Sequence, residues 1–238
     1  MTSDQAPEDR PEVLLQQGPA ARASGQLKAF RLAVRILFLI LFRVRVIGKE
    51  NIPPGNAIIC VNHLGWGEGF MTLLFFPAEP RVYVLGERQV MYIVPWRTRM
   101  INWLQIFVPL DRDKPRQALQ TMEDVVRRGG SLAIAPEGHL GTQEGTIAPL
   151  QPGAAYISQR TGVPLVPVGA TGTLELWLRC RLTLRIGEPI YPEEFQGTLR
   201  ARTRAMTARL ENDIRALLPG HVDRPRFKPW RDKLTKLF

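Results

Sequence analysis

Along the 238 residues the spacing of hydrophobic and polar positions changes period several times, and each change marks an element. Residues 27–42 read LKAFRLAVRILFLILF, without Gly or Pro, and Lys28, Arg31 and Arg35 recur there at helical spacing. A cationic stripe opposite a broad apolar one predicts an amphipathic helix lying in a membrane interface. Packing of that helix on a domain core is the competing reading. Short apolar runs then alternate with helical patterns. Residues 57–61, 81–85, 105–108, 132–135 and 165–168 predict buried strands. Residues 70–76, 90–103, 115–128 and 153–160 predict helices, with Pro115 opening one and Gly129-Gly130 closing it. Residues 180–186 alternate like an edge strand with one face in water, and a last helix over 198–218 stops at Pro219-Gly220. The alternation predicts a single α/β domain with a largely parallel central sheet flanked by helices, preceded by the amphipathic helix. The chain divides into a flexible leader (1–25), the interface helix (26–46), the α/β domain (47–218) and a basic tail (219–238).

Charge changes this picture once it is located. The net charge of +10 divides into +7 within residues 22–49, +7 within 199–238 and −4 over the remainder. Two basic ends on a mildly acidic core suit an anionic membrane surface, and solvated faces are the plainer reading. Nucleic acid is disfavoured, because no basic face carries interleaved aromatics. The longest apolar run, residues 36–42, has seven residues, whereas a spanning helix needs about 20. The expected location is therefore peripheral or monotopic, on the cytoplasmic face of a membrane. Cys60 and Cys180 cannot build a disulfide scaffold, which fits a reducing compartment. No Cys/His cluster has metal-ligand spacing.

Candidate chemistry falls at predicted strand ends, where loops are held on a rigid frame. After residues 57–61 comes Asn62-His63-Leu64-Gly65-Trp66-Gly67-Glu68. A His with a carboxylate five positions on can form an imidazole–carboxylate pair, leaving the second ring nitrogen to take a proton. The same residues also suit an ordinary turn. Ala135-Pro136-Glu137-Gly138 ends another strand with a tight turn. Arg112, just past residues 105–108, can hold a phosphate with its planar fork or pair with Asp111 or Asp113.

In this order the stretches resemble the glycerolipid acyltransferase family that includes the 1-acylglycerol-3-phosphate acyltransferases. Gly48-Lys49-Glu50-Asn51-Ile52-Pro53 is similar to the family's G-x-E-N-x-P segment. Asn62-His63 and Glu68 fall on its N-H-x-x-x-x-D block, residues 107–112 on its second block ending in Arg, Pro136-Glu137-Gly138 on the start of P-E-G-T-R-S, and residues 163–168 on its V-P-x-x-P-V strand. Two departures stand out. Glu68 replaces the family Asp, and His139-Leu140-Gly141 replaces Thr-Arg-Ser, removing the second family Arg. The resemblance implies acyl transfer from acyl-CoA or acyl-carrier protein to the hydroxyl of a lysophospholipid-like acceptor, with no cofactor and no metal. It makes His63 the general base and Glu68 its support, and has Arg112, Glu137, Gly138 and His139 hold the acceptor headgroup. Trp66, Phe70 and Trp103 are candidates for lining an acyl groove. The alternative is an inactive family member that binds lipid at a membrane surface.

Overall fold

A computed structural model describes residues 21–92, 94–111, 113–218 and 227–237. The first helix, α1, spans Gly25–Leu41, and the Ser24 side chain caps it by accepting from Leu27 N. Strand β1 (Arg43–Ile47) follows at once and ends at Gly48, whose φ of +80° no other residue adopts cheaply. A Cβ there would stand 2.1 Å from the Ile186 carbonyl oxygen. Next come β2 (Ile58–Val61), α2 (Gly67–Phe75), β3 (Val82–Glu87), α3 (Arg88–Met91), α4 (Pro95–Leu104) and β4 (Phe107–Leu110). The chain continues through α5 (Pro115–Arg127), β5 (Ser131–Ile134), α6 (Gly153–Thr161), β6 (Leu165–Thr171), β7 (Arg181–Ile186), α7 (Leu199–Leu217) and α8 (Arg231–Thr235).

The seven strands form one sheet in the order β1-β7-β6-β2-β5-β3-β4. Every neighbouring pair is parallel except β6 with β7. Central strands β2, β5 and β6 are buried at every position, which is why they read as unbroken apolar runs. Alternation divides them between two cores. Ile59 and Val61 join Val166, Val168, Met71 and Phe38 beneath α1 and α2, whereas Ile58 and Cys60 join Val125, Ile157 and Leu210 beneath α5, α6 and α7.

The predicted fold class is the observed one, with four local differences. Strand β1 escaped the sequence reading, because its alternation of Arg with Val and Ile spans only five residues at the end of a helical pattern. It pairs in parallel with β7, so residues 180–186 lie inside the sheet, between β1 and β6, instead of at its edge. The helix expected over 90–103 is two helices, since Pro95 starts α4 as a first-turn proline. Gln105, at φ 51°, ends α4 and delays β4 to Phe107.

The cations of α1 are also turned differently. Arg31 is buried, and its guanidinium donates to the carbonyls of Phe76 and Pro77 just past the end of α2. Lys28 pairs with Glu79 at 2.7 Å, and Arg35 lies over the Phe75 ring. The cationic stripe therefore meets the domain, and the outward face of α1 is apolar, with Leu32 and Ile40 about 60% exposed. No described helix is long and apolar enough to cross a membrane. Of the leader, residues 1–20 lie outside the described residues. Residues 227–237, read as part of a basic tail, pack on the domain: Leu234 is buried in the core beneath α1 and α2, and its carbonyl accepts from Trp66 Nε1.

Candidate active site

The carboxyl ends of β2, β5 and β6 meet where the chain places Asn62, His63, Glu137 and Gly172. Asn62 is fully buried and bridges β2 to β6: its side-chain amide donates to Ala170 O at 3.0 Å, and its oxygen accepts from Ala170 N at 2.7 Å. That double bond fixes the strand end from which His63 projects. Four residues later α2 begins, and Glu68 occupies its first turn, where a carboxylate suits the helix dipole.

Glu68 is 1% exposed. Its Oε1 accepts from Leu64 N at 2.6 Å and Gly65 N at 2.7 Å, and lies 2.8 Å from His63 Nδ1. One oxygen thus folds the His63–Glu68 turn and orients the imidazole. The extra methylene relative to the family Asp lets the side chain reach back from α2 to both amides. Nδ1 then carries the proton toward the carboxylate and Nε2 is the basic nitrogen. Roughly a third of the His63 side chain is exposed.

Glu137 stands behind His63. It is 3% exposed, and its two oxygens accept from His63 N at 2.8 Å and Ala148 N at 2.9 Å. Gly138, at φ +75°, makes the turn that lets the chain leave β5 and return over β2. Gly141 N then donates to His63 O at 2.6 Å. Both backbone polar groups of His63 are held by the β5–α6 connection. Farther along that connection, Glu144 accepts from Gly172 N and Leu174 N, tying the same segment to the end of β6.

These groups open on a cleft of about 2040 Å³. His63, Glu68, Gly138 and His139 line it together, as do Trp66 and Phe70. Glu137 is absent from the lining, because its carboxylate faces the backbone. His139 is exposed at the rim, with Nδ1 3.2 Å from Leu140 O, and Leu140 itself is exposed. Trp103 stands outside the cleft, edge-on to Phe30. Arg112 lies outside the described residues. Its neighbour Asp111 lines the cleft and pairs with Arg88 at 3.2 Å. Arg97 also lines the cleft and was missed in the sequence, where nothing sets it apart from Arg99, the other cation of α4. Both thiols, Cys60 and Cys180, are buried, and burial pushes their ionisation upward, so neither is a ready nucleophile.

A mostly parallel α/β sheet thus ends in a histidine–carboxylate turn that opens on a largely apolar cleft. The family model described as Acyltransferase matches residues 43–171, more than half of the chain, and the protein belongs to that family. It is similar to a 1-acyl-sn-glycerol-3-phosphate acyltransferase of Bacillus subtilis, 27% identical over 78% of this chain and 93% of the relative. A yeast protein of the same description, from Saccharomyces cerevisiae, is 30% identical over 56% of this chain and 44% of its own length. In fold the chain is similar to the 1-acyl-sn-glycerophosphate acyltransferase PlsC of Thermotoga maritima, with a TM-score of 0.64 at 20% identity, covering 91% of this chain and 86% of the other.

Proposed function

We propose that the protein is an O-acyltransferase that moves a fatty acyl group from an acyl thioester to the free hydroxyl of a lysophospholipid, with 1-acylglycerol 3-phosphate as the first acceptor to test. The observation that carries this reading is the 2.8 Å pairing of His63 Nδ1 with the buried Glu68 at a largely apolar cleft. The names of the relatives support the acceptor class. Nε2 of His63 takes the hydroxyl proton as the acceptor oxygen bonds to the thioester carbonyl carbon, and the carbonyl electrons move onto its oxygen. Collapse of that intermediate breaks the C–S bond, and the imidazolium returns the proton to the departing thiolate. Glu68 holds the ring in the productive tautomer and stabilises its charged form. The carrier, coenzyme A or acyl-carrier protein, leaves as the free thiol, and no cofactor is required.

Arg112 and the Gly138–His139 rim are the proposed contacts for the acceptor headgroup, and Glu137 is a positioning residue that acts through the His63 backbone. Peripheral work on the cytoplasmic face of an anionic membrane is part of this proposal, and the exposed apolar face of α1 supports the attachment. The test is acyl transfer to 1-acylglycerol 3-phosphate and a panel of other lysophospholipids. His63→Ala is expected to lower kcat by about 10²–10⁴-fold with the thermal midpoint little changed. Glu68→Gln, which keeps the size and removes the charge, is expected to fall well below wild type. Lipid binding by a wild-type protein that consumes no thioester would sink the reading and leave the lipid-binding alternative.

A further inference from the structure

The cleft has two sides of different chemistry. Beneath α1 and α2 its wall is apolar, made by Phe30, Phe70, Leu73, Met100 and Leu104. Across the sheet it passes Tyr156 and reaches α7, where Arg200, Thr203, Arg204 and Thr207 line it. Those four positions recur at helical spacing and share one face of the helix. Arg200 and Arg204 are exposed, and no described carboxylate lies within ion-pair distance of either. Farther along α7, Glu211 also lines the cleft and is paired with Arg215, and Asp213 is paired with Arg209. Thr203 differs from its neighbours: it is 8% exposed, and its hydroxyl has no hydrogen-bond partner among the described residues. That hydroxyl oxygen is itself enclosed, so what the cleft wall offers an anion is the pair of exposed guanidinium groups on either side of it.

An acyl thioester has the matching polarity. Its hydrocarbon chain and its carrier arm extend in opposite directions from the reacting carbonyl. With that carbonyl at His63 and the chain on the apolar side, the arm must leave along the other wall. The arm common to coenzyme A and acyl-carrier protein is pantetheine ending in a phosphate, which two guanidinium groups one helical turn apart can bind. The acceptor's phosphate, by contrast, lies only a few bonds from its reacting hydroxyl. It must stay beside His63, whereas α7 packs on α6 and β6.

We infer that Arg200 and Arg204 of α7 form the subsite for the phosphate of the donor's pantetheine arm. This rests on the acyl-transfer reading above, and the test separates the two. With the full chain, Kd is measured for coenzyme A and for phosphate-free pantetheine, and KM for acyl-CoA, acyl-carrier protein and an acyl-pantetheine. The double variant Arg200→Gln/Arg204→Gln is expected to weaken coenzyme A binding by about 10-fold or more and to raise KM for the phosphate-bearing donors. The acyl-pantetheine KM and every kcat should stay as in wild type. A rise confined to acyl-CoA or to the carrier protein identifies which source the site serves. An equal rise with acyl-pantetheine, or none with either phosphate-bearing donor, would overturn the subsite. Should the wild type transfer no acyl group at all, the coenzyme A titration alone decides.

Discussion

At His63 three contacts from two stretches of chain converge on one residue: Glu68 of its own turn on the ring, and Glu137 and Gly141 of the β5–α6 connection on the amide and the carbonyl. Only the first contact was legible in the sequence, because residues five apart across a Gly-containing turn are forced close together. Glu137 is 74 positions away, and its resemblance to a family block suggested the headgroup as its partner. Its partners are two backbone amides instead, a fact that depends on how β5 lies beside β2. The consequence is testable. Glu137→Gln keeps the shape but turns one amide donor toward an N–H group it formerly accepted from. A shift of His63 relative to the acceptor should lower kcat by about 10- to 100-fold with a small change in donor KM. A fall in thermal midpoint with kcat intact at 25 °C would make Glu137 structural only. Glu68→Asp withdraws the oxygen from all three of its donors at once, so its activity should lie between those of Glu68→Gln and wild type.

Among the elements, α1 shows what periodicity leaves undetermined. A helical pattern states that cations share a stripe, and it cannot state which stripe is docked. Arg31 settles the matter through two carbonyls past the end of α2, 45 and 46 residues away. Burial and the nearby Arg35 both push the Arg31 ionisation downward, yet the two carbonyls hold its guanidinium in place. Arg31→Met keeps the aliphatic bulk and leaves those carbonyls without their donor. It should cost about 1–3 kcal/mol, read from denaturant unfolding. Because Leu27, Phe38 and Phe42 of the same segment are core residues, deleting the segment would expose the core and unfold the domain. Point substitutions are the sound way to probe it.

For the molecule as a whole, the alternation of unbroken apolar strands with helices was legible as an α/β fold, whereas the strand order was not, and the site fell at strand ends as such folds require. The cleft was not legible, since its walls come from helices whose mutual placement no local pattern encodes. The proposed membrane attachment likewise rests on the assembled surface. With Arg31 buried, Lys28 paired with Glu79 and Arg35 over the Phe75 ring, vesicle binding should rest on the apolar face of α1 and survive added salt better than the charge count suggests. Ile36→Ser/Ile40→Ser should release the protein from anionic vesicles in a flotation assay while kcat on a water-soluble short-chain acceptor persists. Equal flotation of this variant and wild type would refute α1 as the anchor.

The β5–α6 connection makes the site a single mechanical unit. It holds His63 at both backbone groups, is braced at Ala148 by Glu137, and grips the end of β6 through Glu144. None of these bonds opens without loosening the next, so local unfolding there must be cooperative. In native-state hydrogen exchange, the amides of His63, Gly141, Ala148, Gly172 and Leu174 should therefore exchange with one common opening free energy. Glu144→Gln, at a residue far from the imidazole in sequence, should lower the protection of His63 together with that of Gly172. Protection that falls at Gly172 and Leu174 alone would show that the connection opens in pieces.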